Sequence, residues 1–140
     1  MKLRFIEIQD KQILYSNDYK MIATILPGST NFHAVGYNER KVAKGTARLL
    51  EMKNFGALGT FGKPTPDELV SYLMEYTSRN DRIQKAQFHV SFSCKGHEMS
   101  EAEVLEFAHQ YLKEMGYMEE GQPLLAYSHY DTDNTHVHIV

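Results

Sequence analysis

His136 and His138 stand close to the end of the sequence with one residue between them, and this spacing strongly constrains the local fold. Successive side chains of a β-strand point to opposite faces, so both imidazoles would share one face while the intervening valine points to the other. His129 precedes this pair across a polar segment whose short side chains favour turns. We therefore predict a hairpin that joins residues 123–130 to residues 135–140 and brings three imidazoles together.

Three imidazoles at one point are typical of a transition-metal site. A lone histidine on a strand is more often structural or solvent-facing, but a His-x-His pair with a third histidine across a turn is an uncommon arrangement. An ion with only three protein ligands keeps open positions, which favours a catalytic role over a structural one. Cys94 is the single cysteine of the sequence, so a cysteine-based zinc site is excluded.

Composition indicates one globular domain. The 140 residues are 42% hydrophobic and 24% charged, and no run approaches the roughly 20 apolar residues that span a bilayer. The start of the chain lacks the apolar stretch of a signal peptide, so we expect a cytoplasmic protein with no membrane segment. The formal net charge of −3 disfavours nucleic-acid binding, although a basic stretch between residues 40 and 53 is concealed by the total.

Alternating and apolar segments predict the strands. Residues 21–26 form an apolar run that predicts a central strand ending at the following Pro-Gly pair. Residues 86–93 alternate in character, which predicts a strand with His89 on its polar face. Residues 3–8 could form a further strand, and residues 47–53 fit a strand or a helix equally well.

Three segments carry the start signals of helices. The segments that begin at Thr65 and at Ser100 each combine a capping residue with an acidic residue three positions later. The second of these helices is predicted to end at Gly116, and a shorter helix is predicted near Phe32, after three polar residues that offer N-caps. Together the elements predict an α+β fold, an antiparallel sheet with helices packed on one face in a two-layer sandwich.

A reaction at the predicted metal site needs a nucleophile. The sequence contains no His-Glu-x-x-His motif and no Gly-x-Ser-x-Gly motif, which leaves water or a tyrosine. Tyr37 differs from the other tyrosines because it stands directly ahead of the basic pair Arg40-Lys41, where a phosphodiester could be steered. From the residues alone, Tyr37 fits a nucleophile or an ordinary member of an amphipathic helix.

The carboxyl-terminal motif resembles that of a known family. His129-x-Asp131 followed by His136-x-His138 resembles the third motif of the relaxases, the mobilisation nucleases of bacterial plasmids and conjugative elements. Relaxases belong to the HUH-type endonucleases, whose two histidines flank one hydrophobic residue. Replication initiators and single-strand transposases with the same motif carry their tyrosine after it. Since only upstream tyrosines are available here, we expect a relaxase.

Two upstream segments are similar to the other motifs of that family. Residues 21–25 and 32–37 resemble its first motif, in which a strand is followed by a helix that bears the nucleophilic tyrosine. Residues 88–92 resemble its middle strand. The resemblance covers residues 21–140 as the catalytic domain and leaves residues 1–20 as an N-terminal extension of unclear role. The family domain normally continues past the third motif, so we expect a domain truncated at its C-terminus.

The resemblance implies an HUH/ferredoxin-like fold and an enzyme that nicks one DNA strand at a transfer origin. Tyr37 would attack the scissile phosphate and form a 5′-phosphotyrosine, assisted by a divalent Mg, Mn or Zn ion. The implied metal ligands are the three histidines of the predicted hairpin, His129, His136 and His138. Asp131 and His89 are expected to orient these ligands through hydrogen bonds.

The implied partners are single-stranded DNA at the transfer origin and accessory mobilisation proteins, in the bacterial cytoplasm. The residues expected to contact DNA are the basic side chains that follow Tyr37, namely Arg40, Lys41, Lys44 and Arg48. Two alternatives stay open. One is a metal-dependent hydrolase that acts through bound water, and the other is a metal-binding module without catalysis.

Overall fold

The computed structural model describes residues 4–8, 11–16, 19–29, 31–60, 62–78, 87–95, 98–118 and 120–140. Within these residues the strands are β1 (Arg4–Ile8), β2 (Lys11–Ser16), β3 (Tyr19–Ser29), β4 (Ala47–Lys53), β5 (Gln87–Cys94), β6 (Leu124–His129) and β7 (Thr135–Ile139). The helices of the described residues are α1 (His33–Ala43), α2 (Pro66–Ser78) and α3 (Glu101–Glu114).

All the described strands form one antiparallel sheet with the order β1-β2-β3-β5-β7-β6-β4. The predicted α+β class and antiparallel sheet are confirmed. The segment 47–53, which the sequence leaves undecided, is strand β4 because it pairs along its length with β6. Of the predicted strands at 3–8 and 86–93, the first residue of each lies outside the described residues.

The side chains of β6 alternate between two hydrophobic clusters. Leu124 and Ala126 belong to the cluster formed with α3, whereas Leu125 and Tyr127 belong to the cluster formed with α1 and α2. Since neighbouring side chains of a strand point to opposite faces, α3 covers one face of the sheet and the other two helices lie over the opposite face. The sequence predicts helices on one face of the sheet. In the structure, α1 and α2 also cover a second face, at the end of the sheet that carries the histidines.

The helix starts at Thr65 and Ser100 are confirmed as capping boxes. Thr65 Oγ1 accepts a hydrogen bond from the Glu68 backbone N–H, and Glu68 Oε1 accepts one from the Thr65 N–H. Ser100 and Glu103 repeat this reciprocal pair at the start of α3. Such boxes satisfy N–H groups that have no partner inside the helix, which is why short sequence patterns predicted both starts.

Helix α1 begins differently from the other two helices. Its N-cap is Phe32, which has a left-handed backbone at φ 55° and no side-chain cap. Gln87, the first residue of β5, supplies the acceptor instead, since its Oε1 receives the Ala34 backbone N–H at 2.8 Å. The predicted cap from the preceding polar residues is therefore replaced by a long-range contact, which fixes α1 to the sheet.

Strand β3 is longer than the sequence suggests. The sequence predicts an end at Pro27-Gly28, but the strand runs to Ser29 with a shift in register against β5 after Leu26. Proline within a sheet is typical of edge strands and of such irregularities, which agrees with its position here.

No helix among the described residues has the length and apolar character needed to cross a bilayer.

Candidate metal centre

The β6–β7 hairpin brings the three predicted histidines together. His129 lies directly opposite His136 in the antiparallel pairing, and His138 lies on the same face of β7. The His129 and His138 rings stack with centroids 3.9 Å apart, and the His136 and His138 centroids are 4.5 Å apart. One nitrogen of each ring lies within 4.8 Å of the others, so a single ion could be bound by all three.

Two ring nitrogens of this triad are buried without hydrogen-bond partners among the described residues. They are Nδ1 of His136 and Nε2 of His138. A buried polar atom without a partner costs free energy, and an ion would supply the missing interaction. Burial, together with neighbouring positive charge, lowers the pKa of His129 to about 4 and that of His138 to about 2. The rings are therefore neutral at neutral pH, as metal ligands must be.

His89 reaches the triad from β5. Its Nε2 lies 2.7 Å from Nδ1 of His138, and both side chains are buried. One of these two nitrogens must carry the shared proton. If Nε2 of His138 keeps its lone pair for an ion, then Nδ1 of His138 donates and Nε2 of His89 accepts. The contact would thus orient a ligand ring in the manner expected of His89.

Asn38 holds the His129 ring, and the sequence analysis did not single it out. Its Nδ2 donates to the Ala34 carbonyl at 2.8 Å, which turns its Oδ1 toward Nε2 of His129 at 2.5 Å. Because an amide oxygen only accepts, Nε2 of His129 carries the proton in this contact and Nδ1 keeps the lone pair. The only signal in the sequence is an asparagine inside a predicted helix, where this residue is unfavourable. The complete burial of Asn38 is visible only in the structure.

Tyr37 lies beside the triad at the surface. Helix α1 packs over the face of the sheet that carries the histidines, and the Tyr37 and His129 ring centroids are 6.2 Å apart. Tyr37 is 41% exposed, so the residue is accessible from the surface of the molecule. Tertiary packing thus brings the predicted nucleophile, Tyr37, next to the predicted metal site.

Asp131 does not contact a ligand ring among the described hydrogen bonds but forms an ion pair with Lys41. Partial burial alone would lower the pKa of Lys41, but hydrogen bonds to Asp131 and Tyr37 raise it overall. The same bond from Lys41 lowers the pKa of the Asp131 carboxyl. Both groups are therefore charged at neutral pH, and they join α1 to the loop of the histidine hairpin.

The other basic residues expected to contact DNA have different surroundings. Arg40 and Lys44 are exposed and form no ion pair with residues that the structure describes. Arg48 on β4 pairs with Glu101 at 3.0 Å, so part of its charge is neutralised. Among these four residues, the positive charge without an ion-pair partner in the described part of the chain is that of Arg40 on α1 and of Lys44 at its C-cap.

Comparison with known proteins identifies one family. The family model described as "Relaxase: MobA/VirD2-like, nuclease domain" matches residues 37–140, which include Tyr37 and all the histidines of the site. No curated protein and no solved structure gave a significant match.

Proposed function

Because the chain belongs to the relaxase family of MobA/VirD2-like nuclease domains, we propose that it nicks one strand of DNA at a transfer origin through a covalent tyrosine intermediate. The family is one of DNA-nicking nucleases that serve mobilisation. The observation that carries the finer proposal is the position of Tyr37, accessible and 6.2 Å from the His129 ring of a buried histidine triad. A phenol next to a candidate metal centre is the arrangement that tyrosine attack on a phosphodiester requires.

In the proposed reaction, the Tyr37 oxygen forms a bond to the scissile phosphorus while the bond from phosphorus to the 3′-oxygen breaks. The phenol loses its proton and the departing 3′-oxygen gains one, so the products are a 5′-phosphotyrosine and a free 3′-hydroxyl. A phosphotyrosine bond keeps the energy of the phosphodiester, so the same bond can later be attacked by a 3′-hydroxyl and the strand rejoined.

The residues of the triad fit a divalent ion, because His136 and His138 each offer a buried nitrogen with no partner among the described residues. An ion at this position would polarise a non-bridging phosphate oxygen and offset the charge that develops there. His89 and Asn38 would hold the rings of His138 and His129 in their binding orientations. Imidazole ligands suit Zn or Mn better than Mg, which prefers oxygen.

Single-stranded DNA would approach along α1. Arg40 and Lys44 are the exposed cations of this helix and would contact phosphates near the scissile bond. Replacing either residue by alanine should weaken binding to all sequences alike. It should also reduce the slope of log K against log salt by about 0.7, the value for one phosphate contact on a single strand. An unchanged slope would place the DNA elsewhere.

The experiment that tests the proposal uses single-stranded oligonucleotides tiled across the transfer origin of the parent element. Wild-type protein with Mn²⁺ should give a covalent species of reduced mobility on a denaturing gel, and a chelator should abolish it. Tyr37→Phe should abolish the species as well. Tyr130→Phe is the matched control, since Tyr130 is a similarly exposed tyrosine next to His129 and should leave the adduct unchanged.

The alternative mechanisms give different results in the same assay. A hydrolase that acts through metal-bound water would cut DNA without an adduct and would keep most of its activity in Tyr37→Phe. A non-catalytic module would bind the ion and show no cleavage across the tiled set.

A further inference from the structure

We propose that Lys41 is a catalytic residue of the nicking reaction, whose ammonium group is held beside Tyr37 by Asp131 and stabilises the charge that develops on the Tyr37 oxygen. This inference rests on the proposed function of Tyr37 as the nucleophile. Lys41 would thus have a role different from that of Arg40 and Lys44, which are expected only to contact DNA.

The ammonium group of Lys41 brings together side chains from helix α1 and from the loop of the histidine hairpin. Tyr37 and Lys41 lie four residues apart on α1, so their side chains meet on one face of the helix. The Lys41 Nζ lies 5.0 Å from the centre of the Tyr37 ring, and the Tyr37 side chain helps to raise the pKa of Lys41. The same Nζ is bonded to Asp131 Oδ2, in the loop that follows the metal-site residue His129. The position of the Lys41 ammonium is therefore fixed by two neighbours, the Tyr37 ring and the Asp131 carboxylate.

Burial distinguishes Lys41 from its neighbours. Its side chain is 22% exposed, whereas Arg40 and Lys44 are exposed and have no ion-pair partner in the described part of the chain. A lysine that only attracts DNA gains from a mobile, solvated ammonium, because a phosphate can then be met in many positions. A lysine already ordered by a carboxylate has a fixed position, which is what stabilising a localised charge requires.

The chemistry shows what that charge could do. Negative charge develops on the Tyr37 oxygen as its proton leaves, and an adjacent ammonium stabilises this charge by a short-range interaction. Lys41 stays protonated throughout, so it does not accept the phenolic proton. In the rejoining direction the Tyr37 oxygen is the leaving group, and the same ammonium stabilises it again. One fixed cation would therefore assist both directions of the strand transfer.

The test separates binding from the chemical step. Adduct formation is measured in single turnover with a cleavable oligonucleotide and Mn²⁺, over a range of protein concentrations that gives both the apparent Kd and the rate at saturation. We expect Lys41→Met to lower the saturating rate about 100-fold, the loss typical of one preorganised charge donor, with a Kd within a few-fold of wild type. Lys41→Arg should recover much of the rate. Lys44→Met is expected to raise the Kd. Lys113→Met, the matched control at an exposed lysine of α3 away from the site, should leave both the Kd and the saturating rate unchanged.

A double-mutant cycle tests the role of Asp131. If Asp131 acts through Lys41, Asp131→Asn should slow the wild-type protein but add little to the defect of Lys41→Met. Equal Mn²⁺ affinity and equal thermal stability of the variants would show that the metal site and the fold are intact.

The outcomes are distinguishable. Absence of any adduct from the wild-type protein overturns both this inference and the proposed function. Wild-type adduct together with an unchanged saturating rate in Lys41→Met, or a loss confined to Kd as in Lys44→Met, overturns this inference alone.

Discussion

Replacing Asn38 by leucine tests whether a buried amide on α1 controls the metal site. The side chain is fully buried, and its Oδ1 lies 2.5 Å from Nε2 of His129. Leucine has a similar size but offers no acceptor, so the ring N–H of His129 would stay buried without a partner.

The expected cost follows from that unsatisfied donor. Leaving a buried polar group without its hydrogen bond costs about 1–3 kcal/mol, and the better helix propensity of leucine offsets a few tenths of this. The free energy of unfolding should therefore fall by about 2 kcal/mol, which corresponds to a decrease in Tm of roughly 4–8 °C for a domain of this size. The His129 ring would also lose its orientation, so metal affinity should fall about 10–100-fold.

Two measurements check this reasoning. Urea denaturation in the presence of a chelator gives the stability of the metal-free protein, and competition with a chromophoric chelator gives the Zn²⁺ affinity. Lys44→Leu, an exposed site on the same helix, is the control and should change neither quantity appreciably. Asn38→Leu protein that unfolds at lower urea but binds Zn²⁺ with wild-type affinity would refute the idea that Asn38 orients His129.

Three further predictions concern the same region. Gln87→Ala removes the acceptor of the Ala34 N–H at the start of α1, so the free energy of unfolding should fall by about 1 kcal/mol in urea; no change would mean that water replaces the side chain. Burial lowers the pKa values of His89 and His129 to about 4 in the folded protein. As the pH falls, the same histidines of the unfolded chain take up protons at about pH 6.5, before those of the folded protein. The stability of the metal-free protein should therefore fall as the pH decreases from about 6.5 toward 4. A flat stability profile across that window would contradict this. Burial also raises the pKa of Glu39, and the charge of Lys63 opposes this shift only in part. The stability that protonated Glu39 contributes is therefore present at low pH and is lost as the pH rises through the folded-state pKa of Glu39. Glu39→Gln should therefore have a higher Tm than wild type at pH 7, with a difference that shrinks toward pH 4.

Helix α1 contacts the histidine hairpin through Tyr37, Asn38 and Lys41, which have separate roles. Asn38 reaches inward to the His129 ring, and Lys41 reaches across to Asp131 in the hairpin loop. Tyr37 is exposed, with its ring close to both His129 and Lys41. Because all of these side chains belong to one short helix, a displacement of α1 would change the surroundings of the metal ligands and of the proposed nucleophile together. The Gln87 contact at the start of the helix therefore supports the whole site.

The sequence alone determined the local parts of this protein. The hairpin follows from the two-residue period of His136 and His138 and from the turn-forming segment before them, because both depend on neighbouring residues. The capping boxes at Thr65 and Ser100 were predictable for the same reason. The relaxase family was likewise indicated by short motifs, and it is confirmed by the match over residues 37–140.

Only the tertiary structure decided how these parts meet. The contact of Asn38 with His129, the anchoring of α1 by Gln87, and the pairing that makes residues 47–53 a strand join positions far apart in the chain. Such contacts have no periodicity along the sequence, because they depend on which faces of the sheet and helices pack together. Their free energy comes from burying polar groups with their partners, and those partners are defined only once the chain has folded.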